Sequence, residues 1–368
     1  MKRLLFFINT LNGGGAEKAL VEMVNSLDTQ KFQITVQTFW DAGIHRSSLH
    51  KGVAYKSIIR TQNPVFQRVL AALYIKVFPD KWLYNRFVKA EYDYEIAYLE
   101  GLPTRIIANS TSTKVKKIAW LHTDLFQYPD SESVYSKVFT EQTAYEKVDQ
   151  IICVSESVRK SLLKKYQIPM DKTKVLYNVV DDETVRKNGA MDCNEEIRQP
   201  LIVSAGRLTE QKAFDRLLRV HKRLIDDGME HTLWIIGEGE KRQELEAYIR
   251  ENGLSDAKLL GFQKNPYAYM SKADLFVSSS VAEGFSTVIT ESVILGVPVI
   301  STNTAGAYEP PEAPRCSTVV NDEEELYEAI KTALRDPKVM QDMKNDAVMK
   351  QPFFKKNYFV KKIEEIFS

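Results

Sequence analysis

From Pro200 onward, short apolar runs alternate with segments of helical character, and that rhythm leaves few folds open. The runs are LIVSAG, TLWIIGEG, AKLLGF, DLFVSSS and PVISTNT. Short apolar runs of this kind suit a strand buried on both faces, as in a parallel sheet covered by helices. The helices expected between them are AFDRLLRVHKRLIDD, KRQELEAYIREN, PYAYMSKA and STVITESVILG, each able to serve as a crossover. Residues 200 to about 350 should therefore form one doubly wound α/β domain. The first half is noisier, but KRLLFFI, QITVQTF, YEIAYLE, KKIAWLH, QIICVS and KVLYNVV are strand candidates for a second open sheet. A chain of 368 residues is also long enough for two cores. The stretch DDETVRKNGAMDCNEEIRQP, residues 181–200, is polar and lacks an apolar period, so the hinge is placed there. The expectation is two tandem Rossmann-like domains, residues 1–183 and 184–350, with a helix in 351–368 crossing back to the first.

In such sheets ligands bind beyond the carboxyl ends of the strands, so the residues just after each run become candidates. After DLFVSSS comes EGFSTVITES: Glu283, then Gly284, Phe285, Ser286 and Thr287 opening a helix, then Glu291. A glycine before a helix start lets an anion approach free amides at the positive end of the helix dipole. Carboxylates beside a phosphate are unfavourable unless they do something else, such as accepting hydrogen bonds from sugar hydroxyls. The plainer reading is a helix cap with an exposed Glu. After LIVSAG, Arg207 follows Gly206 and Lys212 opens the next helix, two cations suited to a diphosphate, or else two solvated surface charges. After the first run comes NTLNGGGAEKAL, which fails the dinucleotide fingerprint because that pattern needs glycine at the position of Lys18. It reads as a close-approach loop or as a structural turn.

These segments together resemble the retaining glycosyltransferases of family 4, whose two-domain fold is called GT-B, and the resemblance covers nearly the whole chain. A GGAE-like loop is matched by Gly14, Gly15, Ala16 and Glu17, a histidine after a strand by His122 in AWLHTD, and a VSE segment by Val154, Ser155 and Glu156. A GR…K pair is matched by Arg207 and Lys212, a GxG turn by Gly237 and Gly239, and the two glutamates eight apart by Glu283 and Glu291. The resemblance implies an interdomain cleft, an acceptor-binding first domain and a nucleotide-sugar-binding second. Arg207 and Lys212 would neutralise the donor diphosphate, helped by the amides of Phe285, Ser286 and Thr287. Glu283 would contact the transferred sugar and Glu291 the ribose. Gly261 and Phe262 would border the base, Gly14 and Gly15 would pack on the donor, and His122 would touch its sugar. One departure is YNVVD, where many members have glycine after the residue matched by Asn178.

The implied reaction moves a hexose or N-acetylhexosamine from a nucleotide diphosphate sugar, a UDP sugar by preference, to a glycan or lipid-linked acceptor in surface polysaccharide assembly. A nucleotide-sugar epimerase of the same fold and a catalytically silent partner subunit are the alternatives. No cofactor and no metal are expected: the sequence has no D-x-D pair, and His45, His50, His122, His221 and His231 show no ligand spacing. Near-neutral charge, 50 basic against 49 acidic residues, gives no reason to expect nucleic acid as a partner. Cys153, Cys193 and Cys316 lie far apart without a CxxC pair, which suits a reducing compartment. The opening MKRLLFFINTL imitates a signal peptide, but its apolar run stops at Ile8, short of the roughly 7 to 15 residues a secretory core needs. A cytoplasmic chain is expected. Residues 56–90 carry Lys56, Arg60, Arg68, Lys76, Lys81, Arg86 and Lys89 against Asp80 alone, interleaved with aromatic and aliphatic residues. That mixture suits an anchor on an anionic membrane at the inner face of the plasma membrane. It equally suits a helix whose Val65, Phe66, Val69, Leu70 and Leu73 pack on the first sheet.

Overall fold

The computed structural model describes residues 1–61, 63–88, 91–126, 129–136, 138–304 and 318–368. Lys89 and Cys316 lie outside them. The chain divides into two compact units, Met1–Val179 with Asn357–Ser368, and Val180–Lys356.

Among the described residues the first unit holds seven strands: β1 (Lys2–Ile8), β2 (Phe32–Trp40), β3 (Ala54–Ile59), β4 (Tyr94–Ala97), β5 (Lys116–Leu121), β6 (Gln150–Cys153) and β7 (Thr173–Val175). They pair in parallel in the order β3-β2-β1-β4-β5-β6-β7. The second unit holds β8 (Leu201–Ala205), β9 (Thr232–Ile236), β10 (Ala257–Gly261), β11 (Leu275–Ser278), β12 (Val299–Thr302) and β13 (Thr318–Val320), in the order β10-β9-β8-β11-β12-β13. Both are doubly wound parallel sheets. The apolar runs explain them: every residue of β8, β9, β11 and β12 is buried, because helices cover both faces. Leu201, Val203, Trp234 and Phe276 face one apolar layer, while Ile202, Leu233, Ile235, Leu275 and Val277 face the other.

Several elements differ from the sequence reading. β3, AYKSII, escapes it because an edge strand buries little: its burial rises only at Ile58 and Ile59. β13 is three residues long. KVLYNVV pairs only through Val175, although Leu176–Val180 stay buried. PYAYMSKA contains a single helical turn, Tyr267–Met270. The polar stretch placed as a hinge contains a helix, Asp182–Gly189. Its signals are caps and charges rather than an apolar stripe: Asp181 accepts the Thr184 amide, acids fill the first turn and bases the last, and Val185 alone is well buried with Gly189. At the far end, Phe354 is buried in the second unit's core. Residues 357–368 belong to the first unit, where the Phe367 ring meets Phe6, Phe32 and Tyr94.

His221 and His231, which show no ligand spacing in the sequence, are brought together. His221 lies on the helix Phe214–Asp226, His231 just before β9, and their Nδ1 and Nε2 atoms are 2.8 Å apart in a buried setting. Burial holds the imidazole of His221 down to about 3 and lowers that of His231 as well. Both are lowered in the fold, so the unfolded chain takes up protons first. The stability they contribute is complete above the unfolded value near 6.5 and is lost as pH falls below it. The melting temperature should therefore drop between about pH 7 and pH 5, and replacing both histidines by Gln should shrink that drop. An equal drop in the double variant would place the titration elsewhere.

Candidate active site

The strand order of the second sheet reverses at β8, which has β9 on one side and β11 on the other. Loops leaving the carboxyl ends of β8 and β11 therefore diverge, and open α/β sheets hold ligands at that point. The two loops are stitched together. The Val281 amide donates to the Gln211 carbonyl (2.9 Å), Gln211 Nε2 to the Ala282 carbonyl (2.9 Å), and Ser279 Oγ to the Lys212 carbonyl (2.9 Å).

Across this seam Lys212 forms a short ion pair with Glu283, and Ser280 Oγ donates to the same carboxylate oxygen at 2.8 Å. Both ion-pair partners are largely buried. Lys212 does not open the next helix as the sequence suggested. It ends a 3-10 turn, Glu210–Lys212, and Ala213 follows in the left-handed region (φ 46°) before the helix begins at Phe214. An ammonium has three donors, so the pair leaves Lys212 capacity for an anion. Arg207, by contrast, is exposed, and its guanidinium has no partner among the described residues.

Beyond Glu283, the helix Thr287–Ile294 starts at Ser286, whose side chain makes no cap and whose buried Oγ has no partner among the described residues. A buried hydroxyl without a partner is uncommon and marks a place where something else can bond. Gly284 and Phe285 lead into it, half-buried. Glu291 is buried on the second turn of that helix and accepts the Tyr267 hydroxyl at 3.2 Å. Sequence reasoning missed Tyr267, which had no signal beyond its place in a short helical segment. Gly237 has a packing reason to be glycine: with φ 143°, a β-carbon there would lie 1.9 Å from the Gly206 carbonyl oxygen at the end of the adjacent strand. Gly261 ends β10, and Phe262 after it is 64% exposed, an aromatic face open to a planar partner.

The remaining candidates belong to the first unit. Gly14 precedes the helix Gly15–Ser26, and a β-carbon on it would lie 2.0 Å from Glu17 Oε2, so the Glu17 carboxylate fills that space. Gly15 has no atom within 4 Å of its missing β-carbon. His122 follows β5, buried, with its ring 4.5 Å from that of Tyr98 and its Nε2 without a partner among the described residues. Burial lowers its pKa to about 3, so the ring is neutral near pH 7. The residue that sequence reasoning missed beside it is Glu100, which accepts the amides of both His122 and Thr123. Only its place just after an apolar run could have flagged it. The structure thus gathers Arg207, Lys212, Glu283, Gly284, Phe285, Ser286, Thr287 and Glu291 in one unit, and Gly14, Gly15 and His122 in the other. Among the described residues no group of three or more His, Cys, Asp or Glu side chains is placed to hold a metal ion.

Family comparison assigns both units. A model described as Glycosyltransferase Family 4 matches residues 13–184, and one described as Glycosyl transferases group 1 matches residues 199–336. The chain belongs to the family 4, group 1 glycosyltransferases. Among curated relatives of this glycosyltransferase, one from Campylobacter jejuni is 29% identical over 97% of this chain and 96% of its own. That relative is an N-acetylgalactosamine-N,N'-diacetylbacillosaminyl-diphospho-undecaprenol 4-alpha-N-acetylgalactosaminyltransferase. Another, the lipopolysaccharide core biosynthesis glycosyltransferase LpsD of Rhizobium meliloti, is 23% identical over 80% of this chain and 76% of its own. Among solved structures, Anabaena HepE in complex with UDP-glucose matches with a TM-score of 0.73 at 21% identity, covering 100% of this chain and 99% of that one. The two sheets are thus those of the GT-B fold.

Proposed function

We propose that this enzyme is a retaining, metal-independent transferase that moves a hexose or N-acetylhexosamine from a nucleotide diphosphate sugar, by preference a UDP sugar, to a lipid-linked saccharide during surface glycan assembly. The observation that carries the donor half is the seam of the second sheet. Exposed Arg207, the paired Lys212 and the uncapped start of the helix after Ser286 offer positive potential to a diphosphate. The second carboxylate oxygen of Glu283 is left to accept from a sugar hydroxyl, and Glu291 with Tyr267 forms a polar pair suited to ribose. In retaining transfer the bond from the anomeric carbon to the diphosphate oxygen breaks while the acceptor oxygen bonds on the same face, its hydroxyl proton passing to the departing phosphate. Negative charge grows on the leaving diphosphate, and fixed cations stabilise it there. They take over the part a divalent ion plays elsewhere, so transfer should continue in EDTA. The Campylobacter relative, matched end to end, uses an acceptor on diphospho-undecaprenol, and this supports a lipid-linked acceptor here.

The test is a panel of nucleotide sugars, run with and without EDTA and with a polyprenyl-diphosphate saccharide as acceptor. Acceptor-dependent release of nucleoside diphosphate, with the donor's anomeric configuration kept in the product, supports the reading. Acceptor-free isomerisation of the donor replaces it by the epimerase, and release that needs added manganese or magnesium removes the metal-independent part.

A lipid-linked acceptor calls for contact with a membrane, and the first unit offers a surface for it. The helix Pro64–Lys76 is apolar on both faces: Leu70, Ala71, Tyr74 and Ile75 pack inward, whereas Val65, Phe66, Val69 and Leu73 are exposed. The face expected to pack on the sheet is therefore bare, except for Leu70. Around it Arg68, Lys76, Lys81 and Arg86 are exposed without a carboxylate partner among the described residues. Asp80, the acid of the stretch, is taken by Arg105 at 2.7 Å, and Arg105 also donates to the Ile75 carbonyl, holding the helix end to the unit. Lys56 sits apart on β3. Wild-type protein should sediment with anionic vesicles at low salt. Changing Arg68, Lys76, Lys81 and Arg86 to Gln should weaken this by about 1 kcal/mol per residue near the surface without altering donor affinity. Wild-type protein that ignores such vesicles would remove the membrane from the account.

A further inference from the structure

The first sheet reverses its strand order between β1 and β4, so the loop after β4 lies at the ligand-binding point of that unit just as the seam does in the other. Glu100 stands in that loop. It is 8% exposed, and one oxygen, Oε1, accepts both the His122 amide and the Thr123 amide (2.6 Å) at the end of neighbouring β5. The loop under it is anchored on three sides. The Tyr98 amide donates to the Phe7 carbonyl (2.8 Å), Thr104 Oγ1 to the Leu99 carbonyl (2.8 Å), and Tyr135 Oη to the Gly101 carbonyl (3.0 Å).

A carboxylate oxygen accepts two amides more strongly than a neutral amide oxygen would, and its burial is the cost. Desolvation shows the cost, raising Glu100 to about 7 against the pull of its amide donors. Beside it, the His122 imidazole is neutral near pH 7, packs on Tyr98, and has a buried Nε2 with no partner among the described residues. A neutral ring is not aimed by charge attraction. Its direction comes from its backbone and from the ring it packs on. We propose that Glu100 is a positioning residue for His122: its carboxylate, fixed in the β4 loop, holds the two amides after β5 and thereby aims the imidazole at the transferred sugar. This rests on the reading of His122 as a sugar contact.

The test is a double-mutant cycle of Glu100→Gln and His122→Ala, scored by kcat, donor KM and melting temperature. Gln keeps the size and one acceptor but removes the charge. Glu100→Gln should lower kcat about ten-fold with little change in donor KM, and His122→Ala should lower it at least as far. The double variant should be no slower than His122→Ala alone, because two residues acting through one imidazole are not additive. A Glu100→Gln enzyme with wild-type kcat, or a double variant whose loss is the product of the single losses, overturns the proposal. If His122→Ala keeps wild-type kcat, the sugar-contact reading itself fails, and the proposal with it. Should Glu100→Gln not fold, Glu100→Asp, which keeps the charge one methylene further back, carries the same cycle with a smaller first loss.

Discussion

Replacing Arg207 by Ala should lower sugar transfer by about 100- to 1,000-fold, the size of loss seen when one donor to a developing anion is removed, while the melting temperature stays where it was. The unchanged melting temperature follows from the structure. Arg207 is exposed and its guanidinium is bonded to nothing among the described residues, so removing the side chain leaves no buried group without a partner. The loss should fall mainly on kcat, because the cation matters most when charge moves onto the departing diphosphate. Lys212→Ala should be as slow but should not be as innocent. It strands the Glu283 carboxylate in a largely buried site, still bonded by Ser280, and breaking a buried pair from one side costs about 3 to 5 kcal/mol. The two variants therefore separate charge from scaffold. An Arg207→Ala enzyme of near-normal turnover would show that the diphosphate does not sit at the end of β8.

That contrast between two cations was not readable in advance. Arg207 and Lys212 look alike in SAGRLTEQKAFDRL, and the difference lies in a partner 71 positions away. The strands of the second half were legible because sheets covered on both faces demand runs such as LIVSA and TLWII, and little else in a soluble chain writes such runs. β3 was not, since an edge strand needs only a partial apolar face. The helix Pro64–Lys76 shows the opposite difficulty. Val65, Phe66, Val69 and Leu73 suited a packed face as well as a membrane one, and only the packing of Tyr74 and Ile75 on the other face reveals which side is bare. His221 and His231 met because a helix and the strand after it fold back on each other, a contact that ligand-spacing rules do not describe. In the site, the segment after β11 was legible as a helix start preceded by glycine. Glu100 was not, because its work is done across two strand ends.

The glycines after β1 allow the sharpest separation of fold from function. Gly15→Ala should leave the fold unharmed or slightly more stable: it opens a helix, no atom lies within 4 Å of the new β-carbon, and φ is not in the left-handed region. A compatible Gly to Ala change typically stabilises by about 0.4 to 1 kcal/mol. If this loop closes on the donor, the same methyl group occupies the space where phosphate or sugar must come, and a misplacement of about 1 Å can cost on the order of 100-fold in rate. The expected result is therefore a protein at least as stable as wild type and about 100-fold slower. Gly14→Ala cannot make that separation, since its methyl group would displace the Glu17 carboxylate from the helix start, and any loss would mix a cap with a clash. A Gly15→Ala enzyme with normal turnover would mean that the three glycines serve only to turn the chain from β1 into its helix.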